Sequence, residues 1–263
     1  MRAGIITGSG SYAWPSLVSA RSATIATGYG DVDVTEGGIG DVEVVHLARH
    51  GAAHARLSNQ IAHRANLAAL RKRGVDLVVS VTVCGAVDPA LALGSLVVFD
   101  DLHFPSNRLP DGSLCTWHDT PGAAGRGHWI FERPFSPELR AAAIDAARDL
   151  GVPVVDRGCY GHVDGPRFNS RSEIAALARV GVTAVSQTAG PEVVLAGEAG
   201  LPLLLLGYPT DYANGVLEVL RPVDELAAHM RASTAVFTRV VDATVTRLTD
   251  VPPPVGTVYG IGS

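Results

Sequence analysis

Short apolar runs alternate with amphipathic stretches along most of the chain. Runs rich in β-branched residues and closed by glycine or polar residues predict strands at 3–7, 42–47, 75–83, 94–100, 183–186 and 203–208. Apolar residues spaced three and four apart predict helices at 59–73, 137–150, 170–180, 191–199 and 223–248. This alternation predicts an α/β fold in which a largely parallel or mixed sheet carries helices on both faces.

Two stretches lack such a pattern. Residues 105–127 hold many turn-forming residues, and we expect this long loop to be mobile or to contact a partner subunit. Residues from about 249 to 263, which include three consecutive prolines, are predicted to form a tail without regular structure. Neither a repeat nor a linker divides the chain, so residues 1–263 are predicted to form a single domain.

Composition narrows the class of protein. Of the 263 residues, 47% are hydrophobic and 18% are charged, which is enough apolar material for a large core. The net charge of −5 argues against a general nucleic-acid binder. The chain lacks an apolar run of about 18 residues and an N-terminal signal pattern, so we expect a cytoplasmic protein without a membrane partner. Three distant cysteines and the spacing of the nine histidines predict no disulfide framework and no metal site.

Two candidate anion sites follow predicted strands. Backbone amides of the Gly8-Ser9-Gly10 turn can point at an anion, although an ordinary turn has the same composition. That turn lacks the third glycine of a dinucleotide fingerprint and the lysine of a P-loop. In the segment from Arg49 to His54, arginine offers a planar charge suited to phosphate and histidine can donate or accept a proton. A surface loop with incidental histidines is the alternative there.

Three further loops carry groups that could bind a heterocycle. The tight loop at 160–169 places Phe168 beside Asn169, an aromatic ring and an amide that could stack on a base and bond its edge. The segments 187–192 and 210–215 also follow apolar strands. Because ligands of open α/β sheets bind at the carboxyl ends of the strands, we expect these loops to meet in one crevice.

The motifs together resemble a known family. They are Gly8-Ser9-Gly10, Arg49-His50-Gly51 with His54, Arg64-Ala65-Asn66, Thr82-Val83-Cys84-Gly85, Gly165-Pro166-Arg167-Phe168, Thr188 with Pro191-Glu192, and Thr210-Asp211-Tyr212. In this order and spacing, from about residue 4 to about residue 248, the chain resembles the trimeric purine nucleoside phosphorylase and methylthioadenosine phosphorylase family. The resemblance implies a single α/β domain with a distorted mixed sheet, a homotrimer, and cleavage of a nucleoside by phosphate into free base and sugar 1-phosphate.

The resemblance also implies roles for single residues. The phosphate site would consist of Ser9, Arg49, His50, Thr82, the Val83 backbone amide and Thr188. The base and sugar would lie against Phe168, Asn169, Gln187, Asp211 and Ala213. Asp211 and His50 would be the catalytic residues, with Asp211 addressing the ring nitrogen and the exocyclic group of a purine. Phosphate is a co-substrate in this scheme, and the resemblance implies neither a cofactor nor a metal.

Several positions depart from the family pattern. Ala213 stands where adenine-specific members carry a second acidic residue, and Gln187 stands where a methionine usually lies beside the sugar. We expect the Gln187 amide to face the ribose or its 5′ substituent. His63 replaces a usual tyrosine. Asp211 favours a 6-aminopurine such as methylthioadenosine or another 5′-modified adenosine. A 6-oxopurine phosphorylase, a nucleoside hydrolase and a non-catalytic nucleoside-binding homologue remain alternatives.

Overall fold

The computed structural model describes residues 1–217 and 223–261. Its strands are β1 (Arg2–Thr7), β2 (Val18–Thr27), β3 (Gly30–Ile39), β4 (Val42–Ala48), β5 (Leu77–Ala86), β6 (Leu96–Val98), β7 (Asp101–His103), β8 (Gly127–Ile130), β9 (Val154–Val155), β10 (Cys159–His162), β11 (Val182–Ser186), β12 (Leu203–Tyr212) and β13 (Thr257–Gly260). The helices are α1 (His63–Lys72), α2 (Pro137–Asp149), α3 (Arg171–Arg179), α4 (Gly190–Glu198) and α5 (Val223–Arg247). Short 3-10 turns lie at Ala52–His54 and Ser58–Gln60.

Eleven of these strands form one mixed sheet in the order β2-β3-β4-β1-β5-β11-β10-β7, with β12, β6 and β9 joined to it through β5. The pairs β1–β4, β1–β5, β5–β12 and β10–β11 are parallel, whereas β2–β3, β3–β4, β5–β11 and β6–β12 are antiparallel. The predicted α/β class with a distorted mixed sheet is confirmed.

Helices cover both faces of the sheet, because successive strand residues point to opposite sides. Ile6 packs in a core with α1 and α4, while its neighbour Ile5 packs in a second core with α2 and α5. The same alternation divides Leu205 from Leu204 in β12. The central strands are thus packed between two buried cores, which fix the positions of their carboxyl ends.

The central strand β5 forks the sheet. One edge of β5 pairs with β12 along nearly its whole length, whereas the other edge pairs with β1 only as far as Ser80. Farther along, Gly85 and Ala86 pair with β11, which runs in the opposite direction. The last residues of β11 therefore head back towards the end of β1. This fork leaves a crevice at the strand carboxyl ends.

Sequence signals predicted the start of α3 correctly and the start of α1 too early. Ser170 is the N-cap of α3, and its side chain and that of Glu173 form the expected capping box. The predicted helix at 59–73 is shorter than expected, because residues 58–60 form a separate 3-10 turn and α1 begins at His63.

Several segments differ from the predictions. The hairpin β2–β3 lies where no strand was predicted, because most of β2 is exposed and lacks an apolar stripe. The tail forms β13, which pairs with β8 at the end of the long 105–127 loop. Asp211 lies inside β12 rather than in a loop after it, at a shift of register between Pro209 and Asp211. The predicted loop at 160–169 likewise begins as strand β10.

Across residues 1–217 and 223–261, no helix combines the length and the apolar character needed to cross a bilayer.

Candidate active site

A cavity of about 470 Å³ fills the crevice at the fork. Its wall is made by the ends of β1, β5, β11 and β12, by the loop before α3 and by the first turns of α5. The lining residues are Ser9, His50, His54, Leu57, Ser58, Val83, Cys84, Gly85, Val163, Pro166, Phe168, Asn169, Ile174, Val185, Ser186, Gln187, Thr188, Thr210, Asp211, Ala213, Asn214, Leu226 and Met230.

Hydroxyl groups gather at the end of the cavity nearest β1. The Thr82 hydroxyl lies 3.0 Å from the Ser186 hydroxyl and 3.4 Å from that of Thr188. Thr82 itself lies behind the wall, whereas Ser186, Thr188 and Ser9 reach the cavity. Hydroxyls next to the backbone amides of a strand end and a helix start form a suitable cradle for an anion.

Arg49 lies one layer behind this cradle and does not line it. Its guanidinium donates from Nε and Nη2 to the two oxygens of Glu192, at 2.8 and 2.9 Å. Nη2 also bonds the Ser80 hydroxyl at 2.6 Å, and Nη1 donates to the Val81 carbonyl oxygen at 2.9 Å. The side chains of Arg49 and Glu192 are 1% and 0% exposed. The predicted phosphate ligand is therefore also one half of a fully buried ion pair.

Gly8 makes room for that guanidinium. A Cβ atom on Gly8 would lie 2.7 Å from Nη1 of Arg49, closer than a real contact allows. Nη1 thus sits directly under the Gly8-Ser9 turn, so the positive charge faces the floor of the anion cradle.

His50 is neutral at pH 7. Burial is the main cause that lowers its pKa to about 4, and the charge of Arg49 acts in the same direction. Its Nδ1 lies 2.8 Å from the Arg56 carbonyl oxygen, which can only accept, so Nδ1 carries the proton and Nε2 is an acceptor. The His54 ring stacks on His50 at 4.1 Å, and Nδ1 of His54 lies 2.9 Å from the Tyr12 hydroxyl.

Asp211, Phe168 and Ala213 also line the cavity. Burial raises the pKa of the Asp211 carboxyl, although the Thr210 hydroxyl, which donates to it at 3.0 Å, acts against this shift. Phe168 is 77% exposed, so its ring is accessible to a ligand in the cavity. Ala213 packs 3.6 Å from where Gly85 would carry a Cβ.

Gln187 does not extend its amide freely into the cavity. Its Oε1 accepts a bond from the Ser58 hydroxyl at 2.8 Å, and its Nε2 donates to the Arg167 carbonyl oxygen at 2.9 Å. Both ends of the amide are therefore bonded to neighbouring loops.

Comparison with known proteins shows the family to which the chain belongs. Residues 2–246 match the family described as the phosphorylase superfamily. The chain belongs to the phosphorylase superfamily. It is 36% identical to the 6-oxopurine nucleoside phosphorylase of Pyrococcus furiosus over 82% of this chain and 81% of the relative. It is 37% identical to the S-methyl-5′-thioadenosine phosphorylase of Mycolicibacterium smegmatis, over 88% and 85% of the two chains.

A solved structure of the same kind aligns over most of its length. The methylthioadenosine phosphorylase of Schistosoma mansoni in complex with adenine superposes with a TM-score of 0.85 at 26% identity, covering 94% of this chain and 91% of that one. The family resemblance predicted from the motifs is thus confirmed.

In this phosphorylase-superfamily chain, most of the predicted site residues meet in the single cavity. Those that line it are Ser9, His50, Val83, Phe168, Asn169, Gln187, Thr188, Asp211 and Ala213, whereas Arg49 and Thr82 lie behind its wall. The role of each residue stays a prediction.

Several lining residues were not predicted from the sequence, among them Ser186, His54, Leu226 and Met230. Ser186 stands two positions before Thr188, so the alternation of strand side chains could have placed both hydroxyls on one face. His54 was part of a motif but received no role. Leu226 and Met230 lie one helical turn apart on α5, and only the packing of that helix on the sheet brings them to the cavity.

Cys84 also lines the cavity, but it is a poor nucleophile. Burial raises the pKa of its thiol far above the ordinary value, so it remains protonated.

Proposed function

We propose that the protein cleaves the N-glycosidic bond of a 6-aminopurine nucleoside with phosphate, releasing free base and sugar 1-phosphate. The observation that carries the proposal is that one cavity brings together a cradle of hydroxyls and amides, a carboxyl group and an exposed aromatic ring, with Arg49 behind its wall. Membership of the phosphorylase superfamily and its nucleoside-cleaving relatives support the same reaction.

Phosphate would bind between Ser9 and Thr188, with the Arg49 charge beneath them. Since Nε2 of His50 is an acceptor, it would take a hydrogen bond or a proton from phosphate rather than donate one. A phosphate oxygen then attacks the anomeric carbon as the bond from that carbon to the purine nitrogen breaks. Negative charge held under the sugar stabilises the cationic transition state more than the bound substrate.

The electrons of the broken bond go to the purine, which needs a proton or hydrogen bond at its ring nitrogen. Asp211 would supply it, because burial raises the pKa of its carboxyl group. After the proton has moved, the carboxylate accepts a hydrogen bond from an exocyclic amine. That pairing favours a 6-aminopurine over a 6-oxopurine.

A 6-oxopurine substrate is the second candidate. Ala213 offers no acidic group next to Asp211, and relatives of both specificities match this chain. For the 5′ position, Leu226 and Met230 give the cavity an apolar wall. This wall supports an apolar 5′ substituent such as methylthio.

Cleavage of a nucleoside panel tests the proposal. We expect base release from methylthioadenosine and adenosine only when phosphate is present, measured by chromatography of the products. Equal release without phosphate would identify a hydrolase, since water needs no anion cradle. Binding of nucleoside without release of base under either condition would identify a non-catalytic homologue.

Replacing Asp211 by asparagine is expected to move selectivity from adenosine-type towards inosine-type nucleosides. An amide offers a donor to a 6-oxo group, so the ratio of the two kcat/KM values should change by about 1–3 kcal/mol. Because both substrates are measured on one protein, partial misfolding cancels from the ratio. An unchanged ratio would show that Asp211 does not read the exocyclic group.

We further propose a homotrimer in a reducing, cytoplasmic compartment. Large apolar side chains stay exposed on the β8–β13 ribbon and next to it: Ile130, Phe131, Tyr259 and Ile261. A partner subunit would cover them. The three free cysteines fit a reducing environment. Light scattering should give three times the chain mass, and an active monomer would exclude the trimer.

A further inference from the structure

Phe168 is held in position from its backbone. Its ring is 77% exposed, so packing of the ring does not position it. Instead, two amide side chains donate to the carbonyl oxygens on either side of it. Gln187 Nε2 bonds the Arg167 carbonyl at 2.9 Å, and Asn214 Nδ2 bonds the Asn169 carbonyl at 2.7 Å.

The Gln187 amide, which forms the first of these two bonds, is itself held by a further hydrogen bond. The Ser58 hydroxyl donates to Oε1 of Gln187 at 2.8 Å, which orients the amide so that its NH₂ group faces the loop. Gly165 lies against the same two side chains, because a Cβ there would come within 2.0 Å of Oε1 and 2.2 Å of the Ser58 hydroxyl. The loop is therefore seated directly on Gln187.

We propose that Gln187 and Asn214 are positioning residues that hold Phe168 against the purine, and that Gln187 does not read the sugar. The inference rests on the proposed function, in which Phe168 stacks on the base. Turning the Gln187 amide towards a ribose hydroxyl would break at least one of these two bonds. The methionine common in the family at this position could not form either bond.

The two products of the reaction separate this role from direct contact with the sugar. A loop that carries Phe168 affects binding of the free base, whereas a residue that bonds the sugar affects binding of sugar 1-phosphate. We expect Gln187→Met to weaken adenine binding about 5–20-fold, the effect of one hydrogen bond, and to change binding of ribose 1-phosphate less than about twofold. Asn214→Ala should behave in the same way.

The measurement is isothermal titration of each variant with adenine and, separately, with ribose 1-phosphate. Ser172→Ala is the matched control, because it removes an exposed hydroxyl that contacts Ser170 at 3.1 Å just after the same loop and leaves both carbonyl ties intact. It should bind both products as the wild type does. Weakened ribose 1-phosphate binding with normal adenine binding in Gln187→Met would overturn the proposal.

A double-mutant cycle with Phe168→Ala gives an independent readout. If Gln187 acts through Phe168, Gln187→Met should have less than about a twofold further effect on adenine binding once the ring is gone. Fully additive effects would contradict a positioning role. Wild-type protein that binds neither adenine nor ribose 1-phosphate would instead refute the proposed function, so the two failures are distinguishable.

Discussion

Replacing Arg49 by alanine is expected to lower the free energy of unfolding by about 3–5 kcal/mol. The variant leaves the Glu192 carboxylate fully buried with only the Ser80 hydroxyl as a partner, at 2.6 Å. An uncompensated charge in that position costs far more than the loss of one surface contact. Urea denaturation at a fixed protein concentration measures the change.

Two further variants make the result specific. Arg247→Ala breaks an exposed pair with Asp149 at 2.7 Å and should cost at most about 1 kcal/mol. The double variant Arg49→Met with Glu192→Leu removes both charges and should recover part of the loss. If Arg49→Ala retained wild-type stability but bound phosphate poorly, the arginine would serve anion binding and would not be needed for the stability of the fold.

Lowering the pH from 7 to 5 is expected to reduce the free energy of unfolding by several kcal/mol, about 2 kcal/mol for each of three buried histidines. Burial lowers the pKa of His46 to about 4 and those of His63 and His162 to about 3. In the unfolded chain these rings have a pKa near 6.5. Each therefore disfavours the folded state by about 2 kcal/mol at pH 5, a large share of a typical stability of about 5–15 kcal/mol.

The direction follows from proton binding. As the pH falls below about 6.5, the histidines of the unfolded chain bind protons, whereas the buried rings of the folded protein do not. The contribution of these rings to stability is therefore full above that pH and declines towards pH 4. His50, whose pKa is also lowered to about 4, acts in the same direction. The raised pKa of Asp211 acts in the opposite direction, as a single group.

Urea titrations at half-unit pH steps would measure this slope. Replacing His63 by phenylalanine should flatten it by about one proton, since the Nδ1 atom of His63 is buried without a hydrogen-bond partner. Constant stability between pH 6.5 and pH 5 would show that the buried rings bind protons in the folded state.

The sequence predicted the parts of the fold that carry strong local signals. Alternating apolar runs located the central strands, and the Ser170 capping box placed the start of α3. The hairpin β2–β3 was missed because its outer strand buries little, and an edge strand needs no apolar stripe. Strand β13 could not be foreseen, since its only partner is β8, about 130 positions earlier in the chain.

The site shows the same division. Motif order predicted which residues meet in the cavity, because those motifs follow strands that end at one edge. It could not show that Arg49 pairs with Glu192, which is 143 positions away, or that Gln187 would be bonded at both ends. These contacts join side chains that only the tertiary fold brings together, and local periodicity carries no information about them.

The close approach of Gly8 to Arg49 has a consequence for directed evolution. The guanidinium cannot swing aside to admit a larger residue at position 8, because Glu192, Ser80 and the Val81 carbonyl all hold it. Substitutions at positions 8, 49 and 192 are therefore expected to be coupled, so that the effect of one depends on the residues at the other two. A library that varies them one at a time samples mainly destabilised variants, whereas one that varies them jointly can find compatible combinations.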